Sequence, residues 1–176
     1  MLVENEMGNG HGCVYMISSI GDEPVLTDML QWAFEKADMA PSTYIVVDAD
    51  KAEANAIRAI GSTPVICYFH FCQALKRRLD TTGNGGLPED AADEFWQLVR
   101  AAQDEEDPAA FAIKHGRLIT FLEGVDGAVK FKDYWVETWA SDEMCRKWAR
   151  FGHPGLKRQA RTNNLLERYA IHHLLR

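Results

Sequence analysis

The chain has 176 residues, of which 47% are hydrophobic and 26% are charged. This size and composition suit one globular domain with a packed core, and they exclude an intrinsically disordered chain. No apolar run reaches the roughly 18 residues that a membrane helix needs, and the four cysteines form neither a CxxC pair nor a dense framework. We therefore expect an intracellular protein with reduced thiols and no membrane partner.

Charge is distributed unevenly along the chain, although the net charge is only −7. Residues 1–55 carry ten acids and two bases, whereas residues 144–176 carry eight bases and a single acid, Glu167. A basic segment of this kind suits a polyanionic partner such as a nucleic acid. It is also compatible with a solvated basic helix face, and composition alone leaves both interpretations open.

In the first 71 residues, the hydrophobic pattern predicts short strands alternating with helices. The opening reads as a hairpin around a turn rich in Gly and Asn, and two later strands are apolar on both faces, which is typical of buried strands. The predicted elements are a strand at 1–5, a turn at 6–12, a strand at 13–20, a helix at 22–38, a strand at 41–48, a helix at 49–60 and a strand at 64–71.

The second part of the chain changes character and predicts helices rich in Trp, Phe and Leu. These helices are expected at 72–79, 89–105, 107–124 and 131–152, followed by a basic loop at 153–164 and a helix at 165–176. We therefore predict a single domain in three parts: an α/β part at 1–71, a helical insertion at 72–155, and a basic loop with a returning helix at 156–176.

Asp48 ends the apolar run Tyr44–Val47. Open α/β sheets place functional groups at the carboxyl ends of their strands, where a carboxylate can bind a metal ion or a basic partner. Alternatively, Asp48 or Asp50 caps the helix that begins near Lys51, with Glu53 in its first turn. Spacing alone does not decide between a site residue and a cap.

Cys67 and His70 form a Cys-x-x-His pair within the last predicted strand. Residues three apart can share a zinc ion, but two ligands do not make a site. A buried cysteine also serves simply as a small hydrophobic side chain. More distant candidates for completing a site are Cys145, His153, His172 and His173.

The segment "RTNNLLER" predicts the start of the last helix, capped by Asn163 or Asn164. Glu167 then lies in the first turn, where an acid also satisfies the helix dipole. The basic residues around it are Arg158, Arg161 and Arg168.

Taken in order, these motifs resemble the catalytic domain of Mutator-like (MULE) transposases. The order is D-x4-E-x-x-A-I (Asp48 to Ile57), C-x-x-H (Cys67 to His70), a helical block, and T-N-N-x-x-E (Thr162 to Glu167). The opening segment also resembles the hairpin that precedes the second acid in that family. The resemblance covers nearly the whole chain.

The resemblance implies an RNase H-like fold with a helical insertion between the second and third metal-binding acids. Asp48 matches the second acid and Glu167 the third, so their carboxylates are expected roughly 4–8 Å apart across two ions. Cys67 and His70 match the family's CxxH signature, expected beside the site. The expected cofactor is Mg²⁺ or Mn²⁺, in a two-metal site of the full-length domain, because Mg²⁺ prefers carboxylates to Cys67 or His70. Zinc is not expected, because the Cys-x-x-His pair supplies only two ligands.

The same resemblance implies DNA strand cleavage and transfer in the nucleus, with DNA as the partner. Whether the protein forms a homo-oligomer is left open. DNA contacts are expected from Lys157, Arg158, Arg161, Asn163, Asn164 and Arg168. No residue matches the family's first acid, so we expect an N-terminally truncated domain with its first strand missing, inactive alone. The alternative is a domesticated, transposase-derived DNA-binding or transcription-regulatory protein without catalysis.

Overall fold

The computed structural model describes residues 2–4, 10–12, 21–48, 50–79 and 86–156. Over these residues the fold is mixed α/β and mostly helical. The elements are β1 (Leu2–Glu4), β2 (Gly10–Gly12), α1 (Glu23–Lys36), β3 (Tyr44–Val47), α2 (Lys51–Ala59), β4 (Thr63–Ile66), α3 (Tyr68–Leu79), α4 (Glu89–Gln103), α5 (Pro108–Gly124), α6 (Val129–Thr138), α7 (Asp142–Trp148) and a 3₁₀ turn at Arg150–Gly152.

The chain forms two compact units. The first holds the described residues through His70 together with Leu156, and the second is Phe71–Gly155. Helix α3 begins in the first unit and continues in the second. None of the helices in the described part of the chain is both long and apolar enough to cross a membrane.

The first unit is organised around a parallel pair of strands, β3 and β4, joined through α2. Residue Val46 is paired with Val65, and Val47 with Ile66. The helices predicted at 22–38 and 49–60 are confirmed as α1 and α2. Their apolar faces form a small core with the inward residues of β3; its members are Leu26, Met29, Leu30, Ile45, Val47, Ala56, Ile57 and Ile60.

Three details of the predicted strands are wrong. The strand expected at 64–71 ends at Ile66, and α3 starts at Tyr68. A continuous apolar run does not distinguish a buried strand from a helix, and the four-residue spacing of the buried residues Phe71, Leu75 and Leu79 is helical. The expected buried strand around Tyr44–Val47 is only half-buried along its length, since in the described part of the chain β3 pairs with β4 alone.

The third detail concerns the opening hairpin. β1 and β2 are antiparallel, with Leu2 opposite Gly12. β2 therefore uses residues that the sequence placed in the turn, and the strand predicted at 13–20 lies outside the described residues. The four described strands form two separate pairs, β1–β2 and β3–β4.

The second unit is helical and has an aromatic core. Phe95 packs edge-on against Trp135, with ring centroids 5.6 Å apart, and Phe71 stacks on Trp148 at 5.2 Å. All four side chains are at most 2% exposed. Burying large aromatic surfaces is the main source of stability available to such a bundle.

The single helical stretch predicted at 131–152 is wrong, because α6 ends at Thr138 and α7 starts at Asp142. Ser141 caps α7, and its hydroxyl accepts a hydrogen bond from the Met144 N–H at 3.2 Å. A serine followed by acids is a helix-start signal. The Trp148 indole donates to the Trp139 carbonyl at 3.0 Å, which ties the two helices across the break.

Candidate metal centre

The parallel pairing of β3 and β4 brings their carboxyl ends to one edge of the sheet. Asp48 directly follows β3, and Cys67 directly follows β4. The Cys67 N–H donates to the Val47 carbonyl at 2.7 Å, which extends the ladder one residue beyond the strand. The backbone therefore holds Asp48 and Cys67 side by side at the sheet edge.

His70 joins them from the first turn of α3. Its Nδ1 lies 2.6 Å from Oδ1 of Asp48. One ligand atom from each of Asp48, Cys67 and His70 lies within 4.8 Å of the other two. Residues that the sequence singled out separately thus form one cluster of a carboxylate, a thiol and an imidazole.

The three side chains of this cluster differ in their access to solvent. Cys67 is fully buried at 0% exposure, whereas the side chains of His70 and Asp48 are 22% and 45% exposed. The thiol therefore forms the inner end of the cluster, and the carboxylate and imidazole line its solvent side.

Asp50, rather than Asp48, caps α2. Its Oδ1 accepts hydrogen bonds from the backbone N–H groups of Ala52 at 2.8 Å and Glu53 at 3.1 Å. This settles the alternative that the sequence left open, because the cap position is filled by the neighbouring acid. The Asp48 carboxylate instead faces His70.

Glu53 adds a third acid next to the cluster. Burial raises the pKa of its carboxyl group, and the nearby carboxylates of Asp48 and Asp50 raise it further. A hydrogen bond from the Asp48 backbone N–H and the proximity of His70 act in the opposite direction. Three acids thus concentrate negative charge at this edge of the sheet, which favours a cation there.

The cluster is better suited to hold a cation than to attack a substrate. A Cys–His–Asp set resembles the arrangement of an activated thiol nucleophile. A nucleophilic cysteine needs contact with its substrate, however, and Cys67 has no exposed surface. Metal ligation needs only that the thiol reach an ion that enters from the side of Asp48 and His70.

Several predicted site residues lie outside the described residues, so their roles stay predictions. They are Lys157, Arg158, Arg161, Asn163, Asn164, Glu167 and Arg168, together with His172 and His173. The expected separation of Asp48 and Glu167 likewise stays a prediction. Of the other distant candidates, Cys145 is buried with its Sγ 3.4 Å from the Trp139 carbonyl, within the second unit.

In residues 144–156, the described part of the basic C-terminal segment, neighbouring acids neutralise the positive charges. Each of its three bases forms an ion pair: Arg146 with Asp142 at 3.0 Å, Lys147 with Glu143 at 2.9 Å, and Arg150 with Glu106. Ion pairs with exposed partners are weak, so these bases can exchange partners. The excess positive charge of the segment is carried by residues beyond 156.

Sequence reasoning did not predict the contact between Asp48 and His70. The family resemblance placed Cys67 and His70 beside the site, but spacing alone treated them as a two-ligand pair whose possible partners lie far along the chain. The available signal was the pair of successive strands joined by one helix, each ending in a polar residue, because such strands are parallel and their ends meet.

Comparisons of this chain with protein-family models, with curated proteins and with solved structures found no match. Function is therefore inferred from the geometry of the site and the order of the motifs.

Proposed function

We propose that this chain is part of a Mutator-like DNA transposase with an RNase H-like fold, and that Asp48 is one of its metal-binding acids. The observation that carries the proposal is the position of Asp48. It ends a parallel strand, its neighbour Asp50 caps the following helix, and Cys67 and His70 lie beside it.

The chemistry of this family gives a carboxylate at a strand end a purpose. Two Mg²⁺ or Mn²⁺ ions would be held by carboxylates at strand ends, and they would activate the attacking oxygen and stabilise the leaving oxygen on DNA. Asp48 would supply one such carboxylate and Glu167 another. The high density of acids around Asp48 supports a cation at this position.

The proposal assigns no strand cleavage to this chain alone. Asp48 and Glu167 are the two residues that match the family's metal-binding acids, and two carboxylates leave one of the two ions poorly held. The proposed activity of the isolated chain is therefore DNA binding, in the nucleus, by Lys157, Arg158, Arg161, Asn163, Asn164 and Arg168. A chain with these two matched acids also fits the second candidate, a domesticated transposase-derived DNA-binding or regulatory protein without catalysis.

DNA binding is tested by fluorescence anisotropy of duplex DNA titrated with the full chain at several salt concentrations. Weak binding that falls steeply with salt is expected, because phosphate contacts release counterions. A double substitution of Arg158 and Arg161 by Gln should lower the slope of log K against log salt by about 2. The matched control is Arg146→Gln, which removes a base that is already paired with Asp142 and should change the slope little.

Absence of binding at low salt, or a double variant that binds like wild type, would contradict the proposed DNA interaction. A parallel strand-cleavage assay with Mg²⁺ and Mn²⁺ should show no product. Cleavage by wild type that disappears in Asp48→Asn would show that another group replaces the first acid.

A further inference from the structure

We propose that Asp48, Cys67 and His70 form a binding site for a thiophilic divalent cation of the Zn²⁺ class, with three protein ligands and an open fourth position. This inference goes beyond the proposed function, since it concerns a different class of metal and requires neither DNA nor Glu167. It also reverses the expectation against zinc, which rested on finding only the two ligands of the Cys-x-x-His pair.

The number and type of donors match the proposal. Zinc sites with an open position have three protein ligands drawn from His, Cys and Asp or Glu, and the cluster supplies one of each kind. A thiolate selects Zn²⁺ and other soft or borderline cations over Mg²⁺, which prefers oxygen. Among the described residues, this is the only group of three such side chains close enough to share an ion.

The distances require only small side-chain movements. Zinc bonds of about 2.0–2.3 Å at tetrahedral angles separate neighbouring ligand atoms by roughly 3.3–3.6 Å. The Asp48 and His70 atoms are closer than this, at 2.6 Å, and every pair in the cluster lies within 4.8 Å. Shifts of roughly 1 Å therefore suffice, and both Asp48 and His70 have exposed surface that permits them.

The surroundings also favour this cation. The ladder hydrogen bond to Val47 fixes the backbone of Cys67, so the least mobile ligand is the buried one. An ion reaches the thiol past the two partly exposed ligands, where water can fill the fourth position. On binding, the Cys67 S–H bond breaks, the sulfur bonds to the metal, and the proton passes to solvent.

The test uses Co²⁺ as a spectroscopic substitute for Zn²⁺ in reduced, chelator-treated full-length protein. Wild type should bind about one equivalent and show a thiolate-to-cobalt charge-transfer band that Zn²⁺ abolishes and a large excess of Mg²⁺ does not. Cys67→Ser should lose the band. Cys72→Ser is the matched control: it removes the thiol of another cysteine, in the same helix as His70, and should keep the band.

Asp48→Asn and His70→Gln extend the test to the other two ligands. Each should weaken Zn²⁺ affinity, measured against a chromophoric chelator, by at least the 10- to 100-fold seen when supporting groups of metal sites are removed. Asp50→Asn removes a neighbouring charge while keeping a good cap, and it should change affinity less than 10-fold. Because Asp48 and His70 are only partly buried, their variants keep the test decisive even where Cys67→Ser fails to fold.

Three results would overturn the site: no charge-transfer band in wild type, a band that survives in Cys67→Ser, or affinity that is equal in wild type, Asp48→Asn and His70→Gln. Each of these results leaves the salt-dependent DNA binding untouched. Failure of the metal site is thus distinguishable from failure of the proposed function.

Discussion

Asp48 and Asp50 are two acids, separated by a single residue, that should respond differently to substitution. Asp50→Ala removes the side chain that accepts from two backbone N–H groups at the start of α2. Loss of a capping acid costs about 1 kcal/mol, within a range of roughly 0.5–2 kcal/mol. For a chain of this size that corresponds to a melting temperature lower by about 2–4 °C.

Asp48→Asn should leave the free energy of unfolding within about 0.5 kcal/mol of wild type. The side chain is 45% exposed, so its contact with His70 contributes little. The substitution also keeps its size and relieves repulsion with Glu53. The same substitution should abolish tight Zn²⁺ or Co²⁺ binding, whereas Asp50→Ala should retain it. Asp50→Ala is therefore expected to change stability, and Asp48→Asn to change metal binding.

The assay combines urea unfolding with amide hydrogen exchange, which reports on the N–H groups of Ala52 and Glu53 directly. These two amides should exchange faster in Asp50→Ala and at the wild-type rate in Asp48→Asn. Equal destabilisation by both substitutions, or faster exchange in Asp48→Asn alone, would refute the assignment of Asp50 as the cap.

Further predictions concern the second unit. Burial lowers the pKa of His115, and its Nε2 accepts a hydrogen bond from the Trp135 indole at 3.2 Å. The pKa of this histidine in the folded protein therefore lies below its unfolded value of about 6.5. The free energy of unfolding should be highest above pH 6.5 and should fall as the pH drops from the unfolded to the folded pKa. His115→Gln should flatten this dependence in urea titrations. Gly152→Ala should destabilise the protein by several kcal/mol, since a Cβ there would overlap the backbone of α7. Gly116→Ala, in open space within α5, should instead stabilise it by up to about 1 kcal/mol. Thermal melting curves of the two variants test both predictions. Burial raises the pKa of the Cys145 thiol to about 12, so this thiol should resist alkylation at pH 8 until the protein unfolds. Early modification of Cys145 in the native protein, detected by mass spectrometry, would contradict this prediction.

The helices could be predicted closely because their apolar residues recur with a helical period and their ends carry recognisable signals. Asp22 caps α1 and Asp107 caps α5, each by accepting a hydrogen bond from a backbone N–H of its helix. The boundary between β4 and α3 could not be predicted, because the apolar run continues through it without a Gly or Pro. The break between α6 and α7 has the signal of Ser141 followed by acids, which the aromatic pattern around it outweighed.

For the site, the sequence identified Asp48 as a strand-end acid and Cys67 with His70 as a pair beside the site, but it did not predict that the three form one cluster. Their convergence depends on strand register, on the first turn of α3 and on the assignment of the cap to Asp50. Each of these is a tertiary or local geometric fact that spacing along the chain leaves undetermined. The sequence likewise placed Glu53 only in the first turn of a helix and did not predict that its carboxylate adds negative charge beside the cluster.

The hydrogen bond from the Cys67 N–H to the Val47 carbonyl makes the location of this cluster independent of the side chains that form it. Main-chain groups alone bring positions 48 and 67 together, so substitutions at either position alter chemistry without moving the meeting point. A descendant of this sequence could exchange the thiol for a harder or softer donor and change its metal preference in one step. The sheet edge thus provides a fixed position for two ligands, and the metal preference of those ligands can evolve separately from the fold that supports them.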